Sequence, residues 1–295
     1  MGLSTLIMLR MSGRELRQSI TIRDITDLAE MREVEELQKE IWGVADREVL
    51  PAMAMRPITV VGGVLIGAFD NSRMVGFVFG FPGLDESRVI LHSDMLAVKA
   101  EYRSQGIGYQ LKLAQRERAL GKGIDMITWT FDPLQAANAH LNFSRLGVVS
   151  DRYLVNFYGE TTSYLHRTGT DRLWVKWFLN SERVKNRAEG RLKGTSVSNE
   201  LDRSSILVCL AENKEPKVLN DGPTDETAII EVPGDISAIL RDDCKVAIRW
   251  RETTRHAFKV AFDAGYVVEE FYLVQGETRK VGRYVLRSNR GRAKV

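Results

Sequence analysis

The sequence predicts an α/β (α+β) protein, with a mixed central sheet flanked by helices and a smaller C-terminal α+β domain. Three observations lead to this fold class. Apolar residues recur every three or four positions from Leu28 to Ile41, which is the spacing of an amphipathic helix. Two runs rich in β-branched and aromatic residues, 60–69 and 74–81, flank a turn and therefore predict a hairpin. A mostly apolar run at 124–131, bounded by turn residues, is typical of a buried strand.

The elements of the first predicted domain follow in order along the chain. A short strand at 20–23 precedes the first helix, which Asp24 or Thr26 caps. After the hairpin we expect a strand, a helix, the buried strand and a second helix, at 88–98, 106–120, 124–131 and 133–146. Gly147 ends that second helix, as glycine often does. Two further strands are expected at 153–158 and 173–178.

A second domain follows a polar stretch. Charged and polar side chains crowd residues 181–204, which we therefore interpret as a charged linker. This places the first domain at 20–180 and the second at 205–287. The second domain is expected to contain strands, a long helix and a closing hairpin, at 206–210, 228–232, 235–264, 267–274 and 283–286. Residues 1–19 are expected to be a flexible leader, and 288–295 a basic tail.

Composition excludes several classes of protein. With 44% hydrophobic residues, the chain has enough apolar side chains for a packed core, unlike a disordered chain. Its net charge is only +3 and its basic segments lack interleaved aromatic residues, so no nucleic-acid partner is expected. No apolar run approaches the roughly 20 residues of a membrane span, so no membrane association is expected. The two cysteines, Cys209 and Cys244, form no C-x-x-C pair, which favours a cytoplasmic location.

The segment most informative about function is the strand at 89–98 with the turn that follows it. The turn has the pattern R-x-x-G-x-G, from Arg103 through Gly106 to Gly108, and it opens a helix. Backbone N–H groups and the helix dipole favour an anion at such a helix N-terminus. The two glycines allow a pyrophosphate to approach the backbone closely, and Arg103 adds a cation suited to phosphate. A dinucleotide site fits less well, because the G-x-G-x-x-G spacing is missing.

With this turn between a strand and a helix, the chain resembles the GNAT superfamily of acyl-CoA N-acyltransferases over about residues 20–180. The order of strands and helices matches the GNAT fold. The chain further resembles a subgroup of predicted GNAT acetyltransferases that have an additional C-terminal domain. Four segments carry that second resemblance: Trp129–Leu134, Asn138–Gly147, Tyr153–Gly159 and Asp171–Trp177.

The resemblance implies acetyl-CoA as cosubstrate, or another acyl-CoA such as succinyl-CoA, and no metal. The strand before the motif would pair with pantetheine through the backbone of Leu96, Ala97 and Val98. The pyrophosphate would lie against the turn, on Arg103, Gln105, Gly106, Ile107 and Gly108. Asn138 resembles the family's helix asparagine near the CoA arm, although a solvated helix residue is the alternative.

Transfer to an amine requires a base, hydrogen-bond donors for the oxyanion and, in many GNAT enzymes, an acid for the leaving thiolate. The base candidates are His92 and Asp94, which their spacing places on one face of an extended strand. The alternative is that one of them faces solvent at a strand end or bulge. Many GNAT enzymes carry a tyrosine acid four residues before the helix-ending glycine, but that position is Phe143 here. Tyr158 and Tyr153 are candidate replacements, with packing as the alternative.

Several charged residues have two interpretations. Asp132 ends a strand near the expected acyl site, but aspartate before proline at a helix start is also a simple N-cap. Asp171 and Arg172 could hold a substrate carboxylate or ammonium, or form an ion pair within the domain. The basic residues of the C-terminal helix either form a solvated face or receive an acidic substrate: Arg249, Arg251 and Arg255.

The resulting hypothesis is an acyl-CoA-dependent N-acyltransferase that acts on a small amine such as an amino acid. The alternative is a non-catalytic acyl-CoA-binding regulatory module, which Phe143 keeps open. The region 250–273, a helix ending in Gly-Tyr followed by a strand, is interpreted as a degenerate half-copy of a GNAT domain or as a lid. GNAT relatives often dimerise, so a homodimer is also open.

Overall fold

The computed structural model describes residues 20–159, 167–191, 205–275 and 280–289. The expected flexible leader and all but the first residues of the basic tail lie outside the described residues. Within them the fold is mixed α/β, with helices packed on one large sheet. No helix of the described ranges is long and apolar enough to span a membrane.

The first half of the chain forms the elements that the hydrophobic pattern predicts. Its strands are β1 Ile20–Asp24, β2 Val64–Asp70, β3 Arg73–Asp85, β4 Arg88–Val98, β5 Met126–Phe131, β6 Val149–Leu154 and β7 Arg172–Phe178. Its helices are α1 Leu28–Trp42, α2 Ala52–Val60, α3 Ile107–Gly121 and α4, which is α-helical over Ala136–Ala139 and π-helical over His140–Leu146. The strand expected at 153–158 lies earlier, because the chain turns after Leu154.

The second half adds five strands and two helices among the described residues. The strands are β8 Ser205–Leu210, β9 Pro216–Val218, β10 Thr227–Pro233, β11 Tyr266–Gln275 and β12 Lys280–Ser288. The helix expected at 235–264 is two helices, α6 Ile236–Asp242 and α7 Cys244–Asp263. The break lies at Asp243, whose carboxylate accepts a hydrogen bond from Lys245 N–H at 2.8 Å and so caps α7.

The first part of the expected linker is a helix rather than open chain. Residues Glu182–Ala188 form α5, and the Ser181 side chain accepts a hydrogen bond from Val184 N–H at its start. Val184 is buried in the core, and the Arg187 guanidinium lies 2.6 Å from the Glu270 carboxylate of β11. Charge composition suggested a linker because it does not show which charged side chains are paired. Residues 192–204 lie outside the described residues, and the division into two domains stays a prediction.

All described strands belong to one sheet, ordered β1-β2-β3-β4-β5-β7-β6-β11-β12-β10-β8-β9. The two halves join where β6 and β11 pair antiparallel at Ser150 and Val268. Helices cover both faces, so successive strand residues enter different cores. Val78 packs in the core under α3, whereas Phe77 and Phe79 pack in the core under α1 and α2.

The strands of the second half repeat the pairing of the first half in mirrored order. The first set reads β4-β5-β7-β6 and the second reads β8-β10-β12-β11. In each set the first pair of strands is parallel and the next two pairs are antiparallel. The two sets meet edge to edge at β6 and β11.

Candidate functional site

A cleft opens between the parallel strands β4 and β5. Their pairing consists of Leu91 with Ile127 and His92 with Thr128, and it stops there although β4 continues to Val98. On its other edge β4 remains paired with β3 over its whole length. The two parallel strands therefore diverge toward their carboxyl ends and leave one edge of β4 without a strand partner.

The backbone groups of β4 that have no strand partner point into this cleft. Lys99 N–H donates to Val75 O of β3, at 2.9 Å. Because backbone groups alternate in an antiparallel pair, those of Ala97 also face β3, and those of Leu96 and Val98 face the cleft. Of the three residues predicted to pair with pantetheine, two thus face the cleft and Ala97 faces away.

A β-bulge interrupts β4 near the point of divergence. Phe79 pairs with Met95 but Phe81 pairs with His92, so β4 carries one extra residue between them. Regular alternation, from which His92 and Asp94 were expected to share a face, does not hold across this bulge. Backbone bulges depend on the partner strand, so a single strand's sequence does not show them.

The cleft leads to the glycine turn at the start of α3. Gly106 is the N-cap residue in the left-handed region, with φ of 83°, and Gln110 N–H closes the first helical turn onto Gly106 O. The N–H groups before Gln110 have no acceptor within the helix. No acidic side chain lies in the first turn, so the helix N-terminus is open to an anion.

The side chains around the turn are exposed and anchored to the backbone. Arg103 Nε donates to Val98 O at 3.2 Å, and Gln105 Nε2 donates to Glu101 O at 3.1 Å. Ile107 is buried under the turn, whereas Asn138 lies exposed on α4. A Cβ at Gly108 would lie 3.8 Å from Leu96 and 3.9 Å from Leu141, in ordinary van der Waals contact with both.

His92 lies on the face of the sheet opposite α3, where it forms an aromatic wall with Trp174. Its Nδ1 is 3.0 Å from Thr128 Oγ1, and its ring stacks on Trp174 with centroids 5.0 Å apart. Burial, together with the charge of Lys112, lowers the pKa of His92 to about 4. The imidazole is therefore neutral near pH 7 and is a weak proton acceptor.

Asp94 is the other base candidate, and its environment is different. It lies at the bulge and is exposed to solvent. The protein atoms packed around the rest of the side chain partly desolvate it and raise its pKa, because desolvation disfavours the carboxylate. Asp94 is thus an accessible carboxylate of increased basicity where β4 and β5 diverge.

Tyr158 lies exposed in the turn after β6. Its hydroxyl is 3.2 Å from Thr130 Oγ1 of β5, and the Arg172 guanidinium lies 5.1 Å from its ring centre. Phe143, at the position where the family resemblance predicts a tyrosine acid, is fully buried and packs edge-on against Phe131 and Tyr284. A tyrosine lies near the carboxyl end of β5, and the helix itself supplies no hydroxyl there.

Two further candidates, the carboxylates Asp132 and Asp171, form ion pairs with arginines of the second half. Asp132 does not cap α4, which begins at Ala136 with Gln135 as its N-cap residue. The Asp132 carboxylate accepts from Leu134 N–H at 2.9 Å in the preceding turn and forms an ion pair of 2.7 Å with Arg251 of α7. Asp171 is fully buried and lies 2.7 Å from Arg255 of the same helix.

Hydrogen bonds occupy the Asp171 carboxylate completely. It accepts from the Tyr153 hydroxyl at 2.8 Å and from Asn156 N–H at 3.0 Å. Burial by itself would raise the pKa of Asp171, but these bonds and Arg255 hold it below its ordinary value. Burial raises the pKa of Tyr153, which also stacks on Phe258. Asp171 was expected either to hold substrate or to form an ion pair within its own domain, and its ion pair is instead with an arginine of the second half. Tyr153 is packed on Phe258 with its hydroxyl bound to Asp171.

Sequence reasoning missed three side chains that line this region: Thr128, Trp174 and Lys112. Alternation along β5 and β7 would have put Thr128 and Trp174 on the face of His92, had the strand order been known. Lys112 gave no signal, since a lysine on a helix is usually solvated. Among the described residues no group of three or more His, Cys, Asp or Glu side chains is placed to hold a metal.

The class of protein follows from these features: an α/β protein in which a cleft between two diverging parallel strands leads to an open helix N-terminus. Residues 28–147 match the model of the acetyltransferase (GNAT) family. Residues 28–147 therefore form a GNAT-type acetyltransferase domain within the chain.

Three solved structures similar to about half of the chain are described as acetyltransferases. The ribosomal-protein-S18-alanine N-acetyltransferase from Escherichia coli has 15% identity and a TM-score of 0.44, covering 55% of this chain and 96% of that one. A GNAT-family acetyltransferase from Streptococcus pneumoniae has 15% identity and a TM-score of 0.44, covering 54% and 98%. Arabidopsis thaliana NAA60 with a bisubstrate analogue has 17% identity and a TM-score of 0.43, covering 55% and 100%. No curated protein sequence matched the chain.

Proposed function

We propose that the protein transfers an acyl group, most simply acetyl, from acyl-CoA to a small amine such as an amino acid. The observation that carries the proposal is the β4–β5 cleft, which leads from a carboxylate at the bulge to an open helix N-terminus, in a chain of the GNAT family. The pyrophosphate would lie on the first turn of α3 with Arg103. Pantetheine would pair with Leu96 and Val98, whose backbone groups face the cleft.

Asp94 is the base in this proposal. A substrate ammonium must lose a proton before its nitrogen can attack the thioester carbon. Asp94 is accessible and has a raised pKa, whereas His92 has a lowered one and already lies against Thr128. We therefore assign His92 to the wall of the acceptor site. The free N–H groups of β4 would donate to the oxyanion as the carbonyl becomes tetrahedral.

The acceptor would lie along the aromatic wall that begins at His92. Arg152 lies 5.4 Å from the Trp174 ring centre and Arg172 lies 5.1 Å from that of Tyr158. The exposed Arg152 guanidinium favours an amine that also carries a carboxylate, which supports an amino acid as the acceptor. Tyr158 is the candidate acid for the leaving thiolate, since its hydroxyl reaches the carboxyl end of β5 at Thr130.

The experiment measures CoA release from acetyl-CoA and succinyl-CoA with amines that carry or lack a carboxylate, for wild type and Asp94→Asn. Loss of a general base costs about 100-fold or more in kcat. Wild-type activity should decrease as the pH falls through the raised pKa of Asp94, because only the carboxylate accepts a proton. The variant should lose this limb. Asp221→Asn, an exposed aspartate of the second half, is the control and should behave as wild type.

The outcomes separate the two candidate functions. Turnover that is indifferent to Asp94 would keep the transferase and remove Asp94 as the base. Tight acyl-CoA binding without turnover on any amine would favour the regulatory module, which the buried Phe143 supports. Failure to bind any acyl-CoA would contradict both. Cytoplasmic location stays a prediction.

A further inference from the structure

A buried lysine lies directly behind the cleft, and the mechanism proposed above does not use it. Lys112 of α3 is 2% exposed. Its Nζ donates to Ser93 Oγ and to Gln115 Oε1, both at 2.9 Å. Nζ also lies 3.6 Å from the ring centre of Trp129. These contacts put a polar cluster into an otherwise apolar interface between α3 and the sheet.

The Lys112 amine lies where β4 and β5 begin to diverge. The last pair between those strands is His92 with Thr128, and Ser93 and Trp129 are the residues that follow it. Lys112 Nζ therefore contacts both strands just beyond their last pair. In the proposed function the pantetheine arm runs back along β4 from Val98 toward Ser93, so the thioester would lie beside this position.

An amine buried in this way costs stability. The described partners of Nζ are Ser93, Gln115 and the rings of Trp129 and Trp177, and none of them is acidic. Burial holds the pKa of Lys112 well below its usual range. The titratable neighbour of Lys112 is His92 of β4, whose pKa the lysine charge lowers. Methionine would fill a similar volume without a polar atom. Costly polar groups of this kind are expected where function requires them.

We propose that Lys112 is a positioning residue for acyl transfer. Through Ser93 it fixes the β4 bulge, and with it the backbone and carboxylate of Asp94 beside the reacting thioester. Gly80 supports the same cluster, because a Cβ there would lie 2.8 Å from His92 O and 2.9 Å from Gln115 Nε2. This inference rests on the proposed function and adds to it the group that holds the base in place.

The test compares Lys112→Met with Lys112→Gln and with Lys122→Met, an exposed lysine at the end of the same helix. We expect Lys112→Met to lower kcat at least tenfold, to leave the KM for acetyl-CoA within about twofold, and to keep or raise the melting temperature. Lys112→Gln keeps an N–H donor and should recover part of kcat. Lys122→Met should behave as wild type.

A structural role alone predicts the opposite pattern, in which Lys112→Met lowers the melting temperature and leaves kcat unchanged. A lower melting temperature or an unchanged kcat in Lys112→Met would each overturn the proposal. A measurement that does not depend on turnover distinguishes failure of the positioning role from failure of the proposed function. Hydrogen exchange of the Ser93, Asp94 and Met95 amides should accelerate at least fivefold in Lys112→Met, with the β2 amides unchanged. Unchanged exchange at the bulge would refute the positioning role even if no amine is ever acylated.

The similarity between the two halves extends from strand order to individual residue positions. This second set of observations does not involve Lys112. Helices α4 and α7 are each followed by a glycine in the left-handed region, Gly147 with φ of 79° and Gly265 with φ of 84°. Ser150 and Val268, which join the two halves, each lie three residues after these glycines. In both β6 and β11 the ladder then shifts register at the next residue, Asp151 or Glu269.

The helices also pack reciprocally across this junction. α4 of the first half packs on β11 of the second, where the Ser144 hydroxyl donates to Phe271 O. α7 of the second half packs on β6 of the first, where Phe258 stacks on Tyr153. A two-fold relation between similar units produces reciprocal contacts of this kind.

We infer that the C-terminal half is a degenerate half-copy of the GNAT domain that takes the place of a partner subunit, and that each chain has one acyl-CoA site. In the first half, β4 is followed by the glycine turn and then α3. In the second half, β8 is followed by a tight turn, which a hydrogen bond of 3.0 Å from Ala211 N–H to Glu215 O closes, and then by β9. No helix N-terminus stands after β8 in the described residues to receive a pyrophosphate.

Two measurements on the full chain test this inference. Light scattering at micromolar concentration should give the mass of one 33.4 kDa chain, and calorimetry should give one acetyl-CoA per chain. A dimer would refute the replacement of a partner subunit, and two acyl-CoA per chain would refute the loss of the second site. The mass decides the first claim even if acetyl-CoA does not bind.

Discussion

At the residue scale, the carboxylates near the cleft divide into one that is accessible and two that join the halves of the chain. Asp94 is exposed at the bulge and has a raised pKa. Asp132 and Asp171 each form an ion pair with an arginine of α7. All three were candidates for chemistry in the sequence, because residue type and spacing do not reveal which carboxylates are already paired.

The fully buried Asp171 makes a stability prediction. Replacing it by asparagine leaves Arg255 without its anion, and breaking a buried pair in this way costs about 3 kcal/mol at pH 7. Because hydrogen bonds hold the pKa of Asp171 below its unfolded value, its contribution is present above the unfolded pKa and is lost as the pH falls through the folded one. Urea unfolding of both proteins at pH 7 and pH 3 measures this.

We expect the free energies of unfolding of wild type and Asp171→Asn to differ less at pH 3 than at pH 7. Asp151→Asn is the matched control, since its partner Lys176 is on the surface and such pairs contribute about 0–1 kcal/mol. An equal loss in the two variants would show that burial of Asp171 adds nothing.

At the element scale, two features of the sequence make the start of α3 suitable for an anion: a glycine at the N-cap position and the absence of acidic residues from the first turn. Gly106 has a φ of 83°, a conformation that costs other residues about 1–2 kcal/mol. Nothing lies within 4 Å of a Cβ placed there, so Gly106→Ala introduces backbone strain without a collision.

Gly106→Ala should therefore weaken acetyl-CoA binding at least fivefold, because the turn that presents the N–H groups must change. Gly123→Ala at the other end of α3 is the control, since it has a φ of 74° and equally open surroundings. Both variants should lose similar stability, whereas only Gly106→Ala should lose affinity in calorimetry. Equal affinities would contradict a binding role for this turn.

The existence of most elements could be predicted, since helices and strands follow the apolar period. The details that form the site could not. The β4 bulge, the π-helical end of α4 and the divergence of β4 from β5 depend on neighbouring strands and helices. A period of two or 3.6 residues carries no information about register with a neighbour.

At the scale of the whole molecule, the two halves form one sheet. The continuity depends on the β6–β11 junction and on ion pairs that cross it, among them Arg251 with Asp132 and Arg187 with Glu270. The basic residues of α7 were expected either to form a solvated face or to receive an acidic substrate. Two of them, Arg251 and Arg255, instead hold carboxylates of the first half.

The fold class, the glycine turn and the family resemblance could be read from the chain alone, because local period and a short motif are properties of neighbouring residues. The accessible carboxylate, the buried Lys112 behind the cleft and the mirrored pairing of the second half with the first emerge only from the folded arrangement. These are contacts between residues far apart in the chain, and strand order and register fix them after the local elements have formed.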